Sequence, residues 1–211
     1  GVIAERVCVA GPDSMSAAPF DPSQFGVILR YRSFRLASAG DFGHMRELHT
    51  MWAWIAAFCG DVFGTSRSAS LAAFGVIAIG AAGSVVAGVL SDRRSRASSA
   101  VQALRWSAGA AVFTGFLVDA TASIVVVAGP VWGFWVVADS AQFSAIVTES
   151  VDPRYVGTAL TVQLAAGFRL TVFTIFLVSL IRDAAGRAFA LLSPGPILGA
   201  WAMRSLERNV A

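Results

Sequence analysis

Lysine is absent from this 211-residue chain, and all sixteen of its basic residues are arginine. Charge of either sign is scarce: 14% of residues are Asp, Glu, Lys or Arg, against about 25% in soluble domains. With 56% hydrophobic residues and a mean hydropathy of +0.67, the chain lacks the polar surface to cover a water-soluble globule. Cysteine occurs twice, at Cys8 and Cys59, with neither a disulfide framework nor a metal-ligand spacing. These read as idle or buried thiols. Residues 1–35 lack the apolar core of a signal peptide, and the chain starts at Gly1, which reads as mature or as cut from something longer. The surplus of +3 and the pI near 9.5 do not point to nucleic acid. In an apolar chain they follow from arginine-rich cytoplasmic loops.

Long apolar runs fill the space that charge leaves. Six segments are long and apolar enough to cross about 30 Å of hydrocarbon as helices. They lie near 37–59, 69–90, 99–118, 122–146, 157–180 and 187–204. The expected class is therefore an all-α integral membrane protein, with residues 1–36 as a cytoplasmic lead-in and 37–211 as a six-helix membrane domain. Arginine placement orients it. One side holds Arg6, Arg30, Arg32, Arg35, Arg93, Arg94, Arg96, Arg105, Arg154, Arg204 and Arg208, whereas the other holds Arg67, Arg182 and Arg187. By the positive-inside rule both termini are cytoplasmic.

In the lead-in, Asp21-Pro22 has the form of an N-cap followed by proline at the first helical position. Phe25, Ile28, Leu29 and Phe34 alternate with Arg30, Arg32 and Arg35, which fits a short helix on the membrane surface or a disordered linker. Gly80, Gly83, Ala87 and the pair Ser84/Gly88 have the spacing that lets helix backbones approach in lipid. Gly129-Pro130 and Ser193-Pro194-Gly195-Pro196 are expected to interrupt two spans, as fixed kinks or as points of bending.

Behind the second apolar run stands "GVLSDRRSR" (88–96). It resembles the signature loop of the major facilitator superfamily, Gly-x-Leu-x-Asp-Arg-x-Gly-Arg, matching at Gly88, Leu90, Asp92, Arg93 and Arg96 and departing at Ser95. "GHMRELHTMWAW" (43–54) and "VVADSAQFSAIVTESVDPRYVGTALTVQLAAGF" (136–168) look like segments of a bacterial branch of that superfamily, with Arg46 and Arg169 where uncharged residues are expected. The resemblance runs from about Ala18 onward and is to the C-terminal six-helix half. It implies secondary transport of a small solute, possible proton involvement, a missing N-terminal half as partner, a bacterial inner membrane, and no cofactor or metal. It also implies that the first and fourth spans line a cavity, that the second and fifth meet the other half, and that the third and sixth face lipid.

Mid-span ionisable residues are costly in lipid and mark function. His44 and Glu47 share one face of the first span, continued by Met51, Trp54 and Phe58; Arg46 and His49 form a neighbouring stripe. Asp139 and Gln142 share a face of the fourth span, and Arg169 is near the middle of the fifth. His44, Glu47, Asp139, Gln142 and Arg169 are the candidates for binding substrate or protons, with a purely structural helix contact as the alternative for each. Arg169 pairs either with Asp139 or Glu47 or with a substrate anion. The loop residues, with Glu149 as a second anion, are the candidate conformational latch. A membrane-embedded enzyme is the weaker alternative, because a six-span serine protease would need a histidine after its serine, whereas both histidines precede every candidate serine and no Gly-x-Ser-x-Gly is present. No phosphate-binding glycine loop occurs either. The chain is thus not expected to be an enzyme, and a non-transporting assembly or regulatory subunit is the competing class.

Overall fold

The structure is a computed structural model that describes residues 22–64, 66–117, 122–181 and 185–208. Among these residues every regular element is helical. After a 3₁₀ turn at Pro22–Gln24 come α1 (Phe25–Ile28), α2 (Arg32–Phe63), α3 (Ser66–Arg93), α4 (Arg96–Gly115), α5 (Ala122–Ala138), α6 (Ser140–Ser150), α7 (Val156–Leu180), α8 (Ala185–Ala190) and α9 (Pro194–Glu207). Each expected segment is mostly helical where it is described, the last being interrupted at 191–193. Three stretches are by themselves long and apolar enough to cross a membrane: Arg67–Arg93, Ala122–Ser150 and Val156–Leu180. The others fall short for visible reasons. Helix α2 carries Asp41, Arg46 and Glu47 in its first half, α4 has 20 residues with Arg105 inside, and the last segment is split into α8 and α9.

The lead-in departs from a continuous surface helix. Asp21 and Cys8 lie outside the described residues. Helix α1 is a single turn that ends at Leu29, and α2 restarts after Tyr31, whose ψ of 113° is extended. Ile28 and Phe34 are buried in one apolar cluster with Ala37, Phe143, Ala159 and Met203, and α1 lies on α7.

Helix α2 is the hub, packing on α9, α7, α3 and α6; α3 lies along α5, and α4 along α5 and α9. Glycines make the tightest crossings. A Cβ at Gly133 would strike the carbonyl of Val76, and one at Gly83 the carbonyl of Phe134, so α3 and α5 touch backbone to backbone. Gly43 against Gly195, and Gly40 against Gly199, do the same for α2 and α9. Close approach recovers dispersion energy in lipid, where no hydrophobic force joins helices. Gly88 takes no part, since nothing lies within 4 Å of where its Cβ would stand.

The breaks are only partly where proline predicts. Helix α5 runs straight through Pro130, held between Gly129 and Gly133 against Val76, and breaks instead at Asp139. The Ser193–Pro196 motif does separate α8 from α9. Pro194 and Pro196 have no N–H, so the carbonyls four residues earlier, Ala190 and Leu192, lose their i+4 donors and accept instead from the Ser193 amide at 3.2 Å and the Gly195 amide at 3.1 Å. Ser193 Oγ donates to Ala190 at 2.8 Å, and Arg46 Nη2 donates to Leu192 at 2.9 Å.

Candidate functional site

Two large apolar clusters lie one toward each end of the bundle, beside a small third one of Ala87, Ala103 and Ala138. The first gathers Leu48, Met51, Ile55, Phe58, Trp132, Phe189 and Leu192; the second gathers Ile28, Phe34, Leu104, Phe143, Ala159 and Met203. Between them four parts of the bundle contribute polar residues: Ser38, Asp41, His44 and Glu47 from α2, Ser107 from α4, Asp139 and Gln142 at the α5–α6 break, and Gln163, Thr171 and Thr174 from α7. All are buried. The result is a polar layer between two apolar caps.

Glu47 is fully enclosed and accepts two hydrogen bonds, from Trp132 Nε1 at 2.8 Å and from Ser107 Oγ at 3.0 Å. Ser107 Oγ also lies 3.2 Å from the Leu104 carbonyl, and its single proton serves one acceptor at a time. When that proton turns to Leu104, the hydroxyl oxygen is free to accept from a protonated Glu47. The acid therefore has a partner in either protonation state.

One turn earlier, His44 Nδ1 is 2.8 Å from Asp139 Oδ1, with both side chains almost wholly buried. The approach is a close charge contact without hydrogen-bond alignment, and both Asp139 oxygens lack an aligned donor. The His44 ring leans on Phe143, 5.5 Å between centroids. Asp139 sits in the cap position of α6 but makes no capping bond, its side chain being turned to His44. Gln142 is buried on the following turn, its Oε1 without a partner. One more turn back along α2, Asp41 accepts from Gln163 Nε2 at 2.8 Å. Asp41 belongs to the same stripe as His44 and Glu47, at i−3, and extending that stripe by one turn would have found it. The donors Trp132, Ser107 and Gln163 carried no signal in the sequence, because their helices meet α2 only in the fold.

His44, Glu47, Asp139 and Gln142 are thus brought together, and Arg169 is not among them. It stands on the exposed side of α7 beside Phe168, Val172, Phe173 and Phe176, along a groove of about 540 Å³. Neither Asp139 nor Glu47 pairs with it. Arg46 is bound to the backbone at Leu192 and packs on Gly195. His49 Nδ1 lies 2.8 Å from the Met45 carbonyl, and its ring sits between Trp52 and Phe168. Cys59 is a buried free thiol in an apolar wall.

At the far end of α3, Asp92 and Arg93 are exposed, whereas Leu90 and Gly88 are half-buried. Ser95, the departure from the family's glycine, has an extended backbone (φ −157°, ψ 154°) and accepts from the Ser98 amide at 3.0 Å. This turn requires no left-handed residue, and the serine N-caps α4. Arg96 pairs with Glu149 at 2.8 Å rather than with Asp92. These residues border a cavity of about 640 Å³ that also includes Ser33, Arg94 and Glu207. In the next loop, side-chain and backbone hydrogen bonds from Arg154 hold the Asp152 carboxyl below its ordinary pKa. Compared with the models of known protein families and with curated proteins, the chain matches none.

Proposed function

We propose that this chain is the C-terminal six-helix half of a major-facilitator-type secondary transporter, moving a small solute by alternating access with Glu47 or Asp139 carrying a proton. In this reading all six segments cross a bacterial inner membrane and both termini are cytoplasmic. The observation that carries it is the buried ionisable layer at mid-bundle, where the His44–Asp139 contact closes the break between α5 and α6. A charge in such a place is costly. A carboxylate that is alternately wet and enclosed therefore takes up and releases a proton as the helices move. The two-way Ser107 hydroxyl supports Glu47 in that role, and the unaligned Asp139 oxygens support Asp139.

The test is uptake by the full-length protein in liposomes under an imposed pH gradient, with Asp139→Asn, Glu47→Gln and the double variant. Solute accumulation is expected to fall to the diffusive level in the double variant while downhill flux persists. Accumulation against the gradient in the double variant would refute proton coupling through these residues. The competing reading, a non-transporting assembly subunit, is favoured by the internal character of both contacts, each joining helices of this same bundle. It predicts that the same variants lose folded protein and that the parent shows no uptake.

A further inference from the structure

Arg169 is the only charged residue of α7. It lies thirteen residues from Val156 and eleven from Leu180, or about 20 Å and about 17 Å along the axis. That is the middle of a hydrocarbon layer about 30 Å thick. Snorkelling moves a guanidinium by roughly one helical turn, which leaves it short of either headgroup layer. A lipid phosphate could pair with it only by thinning the bilayer locally, at a further cost.

The bundle's own acids cannot serve. Helix α7 meets α2 through Gln163, Gly167, Thr171 and Thr174, and Arg169 is on the far side of the helix. Asp41, Glu47 and Asp139 are enclosed in the polar layer. A water-filled passage would be lined by polar groups, but the other residues bordering the Arg169 groove are Phe168, Val172, Phe173 and Phe176. A second copy packed two-fold on this face would set Arg169 against Arg169, with every mid-span acid of both copies buried.

We infer that this groove receives a transmembrane helix from outside residues 1–211, apolar over most of its length, with an Asp or Glu at mid-membrane depth that pairs with Arg169. The inference rests on the proposed reading, in which the fifth span meets the missing half, and it adds the mid-membrane ion pair that fixes the register of that contact. A mid-span ion pair tolerates no slip of a turn, because either charge displaced along the helix is left unpaired in hydrocarbon.

The experiment uses the full-length protein in native membranes, with a photo-crosslinking amino acid placed at Val172 or at Phe176 and the adducts located by mass spectrometry. The expected adduct is on an apolar helix outside residues 1–211, with an Asp or Glu within one turn of the attachment point. Arg169→Leu, which inserts at least as readily as the parent, should lower the adduct yield at least tenfold. Arg169→Asp should do the same, and exchanging the partner acid for Arg in that background should restore the yield. Adducts to lipid or to a second copy, an attachment point without a nearby acid, or an unchanged yield in Arg169→Leu would each overturn the inference. Uptake distinguishes the two readings: parent protein that transports but gives an Arg169-independent adduct refutes the pairing alone. Parent protein that forms the charge-dependent adduct but does not transport refutes the transporter reading alone.

Discussion

Ser95 illustrates how a single departure from a familiar pattern is absorbed. A glycine in this loop would serve a left-handed turn, but the backbone here is extended, and the serine oxygen takes an amide of the first turn of α4 instead. Removing a serine cap costs about 1 kcal/mol, while glycine at a cap costs only a few tenths. Ser95→Ala is therefore expected to lower the thermal midpoint of the detergent-solubilised protein, and Ser95→Gly to leave it nearly unchanged; equal losses would show that the cap contributes nothing. The polar layer follows the same rule that a buried group needs a partner. Trp132 and Ser107 satisfy Glu47, Gln163 satisfies Asp41, and Arg46 adds a second donor to the Leu192 carbonyl, which Pro196 leaves with only the Gly195 amide. Of these residues only the stripe on α2 is visible in the sequence. A 3.6-residue period reveals which side chains share a face, but not which helix that face will meet.

At the scale of elements, small residues decide how closely helices approach, and the structure sorts those that matter from those that do not. Gly133 lies against the carbonyl of Val76, whereas Gly88 faces open space. Overpacking a close contact costs about 1–3 kcal/mol. Gly133→Ala should thus reduce the folded fraction recovered from membranes, with Gly88→Ala recovered at the parent level. Size-exclusion profiles of the two variants decide it, and a normal profile for Gly133→Ala would mean that α3 and α5 are not in backbone contact. The same crossing explains why Pro130 leaves α5 continuous: the helix is clamped against Val76 at Gly129 and Gly133, one residue before and three after the proline. The break at Asp139 has no proline or glycine to announce it. It coincides with a side chain turned to His44 on another helix.

For the molecule as a whole, the open question is orientation, and the arginine asymmetry predicts it. A reporter cysteine at Ser66, the first residue of α3, should react with an impermeant thiol reagent from outside intact cells, and one at Ser95 should react only after permeabilisation. The opposite pattern would reverse the topology and remove the basis for the family resemblance. Large apolar side chains stand exposed along α3 (Leu71, Phe74, Val85, Val86) and α7 (Val172, Phe173, Phe176, Leu180). In a membrane these faces need lipid or further helices, and Arg169 distinguishes the two for α7.

Composition alone determined that the chain is apolar, and its long continuous apolar runs, without the alternation of barrel strands, pointed to helices. Hydropathy also placed the helical segments, since each run is long enough to be read without its neighbours. What only the tertiary structure decided is the use of each charge. Asp41 joined the site and Arg169 left it, Glu47 gained Trp132, and Arg96 was paired with Glu149. These outcomes depend on which faces of different helices meet, and that is set by glycine contacts distributed over residues 40 to 199, a separation over which no local pattern in the sequence extends.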